Sequence, residues 1–368
     1  MTWLWGLPAL VAGLYYLLAA LASRAGRPWT KPRGLPQVSI LKPVRGRDPQ
    51  FYEAIRSHAE QRYPVAFEIL FGVADPADPA VAGIERLQRE FPQVPIRLIH
   101  STTKAANGKA GVLADLAREA RYPVLLVNDS DIAVQPDYLA RVAAPLEDPR
   151  IGVVTCLYRA AAGAWPARWE AIGIATEFAP SVLVARQLGI AEFALGSTMV
   201  FRAADLRRIG GFQALADYLA DDYQLGKRIT GLGLHVWISD VVVETHLSGA
   251  TWGEVWRHQL RWARTIRVSR TAGYYGYLVT QASFWSLVAL CAGQWQAALF
   301  AMAARLAAGI LCARRLGDRH APRYWFLIPP RDLWGFAVWV AGLAGTTVEW
   351  RGLRFRLSPD GTIREEGT

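Results

Sequence analysis

The chain has 368 residues, enough for a large core and a second region, and its 41 Lys and Arg against 31 Asp and Glu give a formal charge of +10. That excess suits a phosphorylated substrate or an anionic lipid surface; the basic residues form no tract interleaved with aromatics, which argues against nucleic acid as a partner. Cys156, Cys291 and Cys312 have no metal-ligand spacing and read as small buried hydrophobes in a reducing compartment, not as a disulfide framework.

The first predicted element is an apolar run. Residues 3–22 contain no charge and are long enough, at roughly 20 residues, to cross a hydrocarbon core. Arg24, Arg27, Lys31 and Arg33 follow this run. That is the order of a retained anchor with a cytoplasmic flank, whereas a signal peptide has its basic region first. Residues 1–23 are therefore expected to form a transmembrane anchor and 24–35 a basic linker.

From 36 to 250 strands and helices alternate. Residues 38–41 read as a strand closed by Lys42-Pro43, 53–61 as a helix, 67–73 as a buried strand ending at Asp75, 80–91 as a helix, 96–99 as a strand and 108–120 as a helix. This alternation predicts parallel strands with crossover helices, whose ligands bind beyond the carboxyl ends of the strands. Val124-Leu125-Leu126-Val127 then runs into Asn128-Asp129-Ser130-Asp131. Side chains at i and i+2 of an extended segment share a side, so Asp129 and Asp131 can reach one divalent ion; a turn or cap uses the same residue types. Asp75, at another strand end, suits either a hydrogen bond to a base or ribose or a cap before Pro76. Asn107-Gly108-Lys109 opens a helix and favours an anion.

Residues 193–201 read as a strand interrupted by Gly196-Ser197-Thr198, where the glycine lets a ligand approach the backbone. Tyr218-Leu219-Ala220-Asp221-Asp222-Tyr223 sets two adjacent carboxylates among apolar residues. One of them can take the proton of an acceptor hydroxyl, or both can serve a helix N-terminus. Residues 251–272 place Trp252, Trp256, Leu260, Ala263 and Ile266 on one helical side and cations on another. That is an amphipathic interfacial helix with snorkelling arginines, in which Arg261 can still clamp a diphosphate. Residues 273–349 are expected to hold membrane segments, with Arg305 the one basic intruder in their apolar runs. The arginine clusters between and after these runs require at least one segment to be short, re-entrant or interfacial. Residues 350–368 are set apart as a cytoplasmic tail.

Taken in order, Asp75, Asp129-x-Asp131, Asp222 and Arg261-Trp262 resemble the family-2-type glycosyltransferases, and more specifically the ceramide glucosyltransferase group, family 21, with its bacterial hopanoid-associated members. The finer likeness rests on Leu41-Lys42-Pro43-Val44-Arg45-Gly46, Asp78-Pro79-Ala80, Ala220-Asp221-Asp222-Tyr223 and Trp350-Arg351-Gly352-Leu353-Arg354-Phe355-Arg356-Leu357. The resemblance implies an α/β GT-A fold, a Rossmann-like mixed sheet, between an N-terminal transmembrane helix and C-terminal membrane helices. It implies a multi-pass protein of the bacterial inner membrane with its catalytic domain in the cytoplasm. It also implies a UDP-sugar donor, with Asp75 on the uracil or ribose, Lys109, Asp129, Asp131, Arg261 and Trp262 around the sugar diphosphate, and Mg²⁺ or Mn²⁺ on Asp129 and Asp131. Asp222 is then the catalytic base, and Gly196, Ser197, Asp221 and His258 face the acceptor, a hydroxyl of a membrane lipid such as ceramide or a hopanoid. The expected activity is transfer of one hexose, glucose or N-acetylglucosamine. A processive polysaccharide synthase and a non-catalytic nucleotide-sugar-binding scaffold are the alternatives. The chain departs from the family at His258 (usually Gln or Arg), at Val112 (often Asn) and at Asp131, where the eukaryotic ceramide enzymes carry Gly.

Overall fold

The computed structural model describes residues 2–26, 32–48, 50–247 and 251–366; Arg27 and Lys31 of the expected linker and residues 248–250 at the expected domain end lie outside them. One sheet is built from β1 (Val38–Val44), β2 (Phe67–Val73), β3 (Ile96–His100), β4 (Val124–Val127), β5 (Ile132–Ala133), β6 (Ile151–Ala162), β7 (Met199–Arg202) and β8 (His235–Leu247). Their order is β3-β2-β1-β4-β7-β6-β8-β5. The first four are parallel, as the alternation predicts, and β7 enters antiparallel between β4 and β6, which makes the sheet mixed.

β1 is buried along its whole length, as a central strand covered on both faces must be. It continues through Lys42-Pro43, where the sequence pattern ends it. β4 stops at Val127, level with Leu41, so the proline leaves no bond to β4 unmade. The Gly108–Glu119 helix lies close on the sheet because Gly72 of β2 has no side chain; a Cβ there would meet Val112 Cγ1 at 2.4 Å. Val112 is thus a packing residue in this chain. The strand expected at 193–201 is confined to β7, because Thr198 N–H donates to the Leu195 carbonyl at 3.0 Å and closes a turn around Gly196.

Leu4–Arg24 and Trp295–Leu316 are long and apolar enough to cross a membrane by length and composition. They meet through small residues: Ala12, Ala19, Ala304 and Ala308 are buried together, and a Cβ on Gly13 would lie 3.2 Å from the Ala301 Cα. Ala282–Cys291 and Ile328–Leu343 are shorter. The Trp252–Ser269 helix opens on a capping box, Thr251 Oγ1 accepting from Glu254 N–H at 3.3 Å and Glu254 Oε2 from Thr251 N–H at 3.0 Å. Two of its arginines are not available to snorkel. Arg264 donates to the Ala344 and Thr347 carbonyls at 3.1 and 2.5 Å, and Arg267 to those of Leu343 and Gly345. They satisfy the carboxyl end of the Ile328–Leu343 helix, where cations also suit the dipole. Residues 350–366 are not a loose tail: β9 (Thr347–Trp350), β10 (Leu353–Leu357) and β11 (Ile363–Glu365) form an antiparallel sheet whose Val348, Phe355, Leu357 and Ile363 pack on Leu219.

Candidate active site

β1, β2 and β4 end on one edge, Val44 level with Val73 and Leu41 with Val127. Asp75 and Asp129 therefore leave the sheet on either side of β1. Asp75 is exposed, and its Oδ1 accepts from Ala77 N–H at 2.9 Å. Asp78, in the same turn, holds the loop after β1 by accepting from Gly46 N–H at 2.8 Å.

Asn107 caps the Gly108–Glu119 helix, accepting from Ala110 N–H at 3.2 Å, and its Nδ2 donates to the Tyr218 carbonyl at 2.8 Å. This pins the start of that helix to the acidic segment more than a hundred residues later in the chain. Lys109 Nζ consequently lies 2.6 Å from Asp129 Oδ1 and 3.7 Å from Asp221 Oδ2. Against the cost of its burial, Asp129 and Asp221 hold the ammonium well above its usual range, so it stays charged. Burial pushes the Asp221 carboxyl up, and Lys109 opposes that shift.

Asp222 sits in the first turn of the Asp221–Thr230 helix. Its Oδ2 accepts from Gly196 N–H at 2.9 Å and its Oδ1 from Tyr223 N–H at 2.7 Å. Burial, and next the neighbouring Asp221, push its carboxyl up to about 6. A Cβ on Gly196 would stand 3.1 Å from Asp129 Oδ2 and 3.5 Å from Asp222 Oδ2. The two carboxylates thus converge over a residue with no side chain. The Ser197 hydroxyl is turned elsewhere, donating to the Cys156 carbonyl at 2.8 Å.

The helix that carries Asp221 and Asp222 reaches this position because Gly226 packs on backbone: a Cβ there would lie 2.4 Å from Ala194 N and 2.5 Å from Phe193 C. Gly226→Ala is expected to destabilise the protein by about 1–3 kcal/mol, the usual cost of overpacking, and to displace Asp222 from Gly196. A lowered thermal midpoint together with a fall in turnover checks it.

Asp131 is deeply placed, and the Thr245 hydroxyl donates to its Oδ2. Burial, and next the Asp129 charge, push its carboxyl up. Among the described residues no group of three or more His, Cys, Asp and Glu is placed to hold a metal. Another kind of divalent site uses one or two carboxylates and completes its shell with substrate phosphates and water; here Asp129 Oδ1 holds the Lys109 ammonium and Asp131 Oδ2 the Thr245 hydroxyl, which leaves one oxygen of each carboxylate to such an ion. The Lys109 ammonium on Asp129 Oδ1 shows that this carboxylate already draws a cation.

Beneath these residues runs a buried polar chain that the sequence reading missed. Lys42 Nζ donates to Asn128 Oδ1 at 2.9 Å and to the Asp129 carbonyl at 3.1 Å. His58 Nδ1 faces the Ala54 carbonyl at 2.9 Å, which can only accept; Nδ1 therefore carries the proton and Nε2 accepts from Asn128 Nδ2 at 2.9 Å. Asn128 Nδ2 also reaches Tyr138 Oη at 3.3 Å, which meets Thr198 Oγ1 at 3.0 Å. The chain ties the end of β4 to the Gly196 turn and so sets Asp129 against Gly196. Burial brings the Lys42 ammonium down to about 7. The sequence signal for it is a lysine directly after an apolar run, which the structure places inside β1.

On the Trp252–Ser269 helix, His258 Nδ1 lies 2.6 Å from Oε1 of the buried Glu170, and its ring is 4.4 Å from that of Trp262. Trp169, Trp252, Trp256 and Trp334 pack edge to face beside them. Burial lowers Arg261 to about 10, while Glu170, Asp129 and Asp222 support its charge. The guanidinium therefore feels the same two carboxylates that converge over Gly196. Asp75 lies apart from this group, beyond the end of β2 on the same sheet edge.

A model of the family described as glycosyl transferase family 21 matches residues 1–363. Ceramide glucosyltransferase 1 of Caenorhabditis elegans is 29% identical over 208 residues, 56% of this chain and 44% of its own length. Beta-monoglucosyldiacylglycerol synthase of Synechocystis sp. is 25% identical over 258 residues, 68% of this chain and 52% of its own length. The chain spans about half the length of these curated relatives. Among solved structures, the mannosyltransferase PcManGT from Pyrobaculum calidifontis, in complex with GDP-Man and Mn2+, superposes with a TM-score of 0.60 over 93% of this chain and 98% of that one, at 21% identity. That likeness shows the GT-A fold.

Proposed function

The chain belongs to glycosyl transferase family 21, and from that premise we propose that it moves a single hexose from a UDP-sugar to a hydroxyl of a membrane lipid, inverting the anomeric centre. The observation that carries this reading is the convergence of Asp129 and Asp222 over Gly196, 3.1 and 3.5 Å from where a Cβ would stand. An inverting displacement needs a base on the acceptor side and stabilised charge on the departing side. Asp222 takes the acceptor proton as the hydroxyl oxygen bonds to the anomeric carbon. The bond from that carbon to the diphosphate breaks, and the diphosphate leaves with the electron pair. Arg261 and Lys109 offset the charge that develops there, Trp262 borders the sugar and His258 faces the acceptor. Asp75, at the end of β2, suits the uridine. Asp129 and Asp131 would hold a divalent ion, Mg²⁺ or Mn²⁺, which would supply a charge sink for the leaving diphosphate.

The acceptor side follows from the surroundings. The Trp252–Ser269 helix, packed on the Ile328–Leu343 helix, leaves Trp252 and Ile266 about half exposed, at 49% each. A lipid lying at that level brings its headgroup hydroxyl to the helix that bears Arg261. Ceramide and hopanoid polyols both offer such a hydroxyl, and glucose or N-acetylglucosamine fits the single-transfer chemistry.

Purified protein given a UDP-sugar and a lipid acceptor is expected to release UDP. EDTA should stop the release, Mg²⁺ or Mn²⁺ should restore it, and Asp129→Asn should lower turnover by ~10²-fold or more, as for loss of leaving-group stabilisation. Turnover indifferent to EDTA removes the metal from this reading, and absence of glycolipid in the product mixture removes the transferase.

A further inference from the structure

The β9–β10 hairpin turns in two residues, Leu353 pairing directly with Trp350, and both turn residues have positive φ: Arg351 at +49° and Gly352 at +80°. Such a turn prefers Asn, Asp or Gly at both positions. An arginine held in the left-handed region costs conformational energy and marks a place where function competes with local preference. Its direction is fixed as well. Arg351 Nη1 donates to the Arg45 carbonyl at 2.7 Å, bridging from the C-terminal sheet to the loop that follows β1. The adjoining Gly46 is held by Asp78 in the turn after β2. The hairpin tip therefore reaches the ligand-binding edge of the main sheet, beside the Trp252–Ser269 helix, whose Arg257 lies 3.9 Å from Glu349 and whose Arg264 donates to the Thr347 carbonyl at 2.5 Å. The charge of Arg351 reaches Arg261 and disfavours that guanidinium's own charge. Guanidinium groups that sense each other's charge are stabilised by an anion held between them.

We propose that Arg351 is a second cationic contact for the diphosphate of the donor, carried to the sheet edge by the C-terminal hairpin. This rests on the donor reading above and extends it: the C-terminal sheet completes the nucleotide site, and Arg351 joins Arg261 in holding the diphosphate. The hydrogen bond to Arg45 is the resting contact of a side chain whose remaining donors serve the phosphate oxygens.

Calorimetric titration of the full-length protein with uridine, UMP and UDP in Mg²⁺ tests it. Arg351→Ala is expected to weaken UDP by about tenfold or more, in line with loss of one charge-assisted contact, and to leave uridine unchanged. Arg351→Asn, which suits the turn better and so preserves the hairpin, should show the same selective loss. Arg356→Ala, on the same sheet but paired with Glu366 and largely exposed, should bind all three like the wild type. Equal weakening of all three ligands by both Arg351 variants indicates a merely structural role and overturns the assignment, as does unchanged UDP affinity. Failure of the wild type to bind UDP overturns the donor reading itself, and this assignment with it.

Discussion

Asp222→Asn is expected to lower turnover by ~10²–10⁴-fold, the usual worth of a positioned general base, with UDP affinity little changed. The pH profile is the sharper readout. Burial and Asp221 raise the Asp222 carboxyl to about 6, so the protonated, inactive form persists to higher pH than for an ordinary aspartate. Activity should therefore rise with pH up to about 6 and level off above it, and be lost as pH falls below that value. The residual activity of Asp222→Asn should lack this limb. Asn can keep only one of the two hydrogen bonds that Asp222 accepts from Gly196 and Tyr223, because its amide nitrogen cannot accept. A small shift of the Gly196 turn is expected for that reason, and the UDP titration separates it from loss of the base. Initial rates of UDP release across roughly pH 5–8 decide the matter: a variant that retains turnover, or retains the limb, removes Asp222 from the role of base.

Much of this arrangement was legible in the sequence because it is local. An apolar strand that runs into Asp129-x-Asp131 says where the strand ends; the extended backbone expected through Asp131 is instead a turn at Ser130 and Asp131, with Ile132 N–H on the Asp129 carbonyl at 3.4 Å. The period of the strands and helices predicts the parallel half of the sheet. What was not legible depends on partners distant in the chain. Lys42 reads as the end of a strand until Asn128 and the Asp129 carbonyl are placed over its ammonium. Arg264 and Arg267 read as lipid-facing until the carboxyl end of the Ile328–Leu343 helix is docked against them. Residues 350–366 look like a charged tail because their alternating side chains bury only one face, and only Leu219 and its neighbours show what that face covers. Ser197 illustrates the same limit: its hydroxyl serves the Cys156 carbonyl of β6, a strand about forty residues earlier in the chain.

Asp332→Ala is expected to be the most destabilising single substitution in the C-terminal helices. Arg305, wholly buried in the Trp295–Leu316 helix, donates from Nε to Asp332 Oδ2 at 2.9 Å and from Nη2 to Asp332 Oδ1 at 2.6 Å. Ser283 Oγ adds a third bond to Asp332 at 2.6 Å, and the Tyr16 ring lies 4.6 Å from the guanidinium. Removing the aspartate leaves a buried cation without its partner, which costs about 3–5 kcal/mol, whereas replacing both members by apolar residues of similar volume is often near neutral. The Arg305→Leu/Asp332→Leu double variant should therefore recover most of the stability that Asp332→Ala loses, and Arg305→Lys should not, since an ammonium cannot make the bidentate bond. Thermal unfolding in detergent is the measurement, and wild-type stability in Asp332→Ala would show that this pair does not organise the bundle. The consequence reaches the active site through the neighbouring residue. Arg331 pairs with Glu177 at 3.2 Å and donates to Gln259 Oε1 at 3.3 Å, two positions before Arg261 on the same helix. The double variant, stable but without the charged pair beside Arg331, then tests whether the bundle positions Arg261: a fall in turnover at unchanged stability places the effect on that helix, and full activity assigns Arg305 and Asp332 to stability alone.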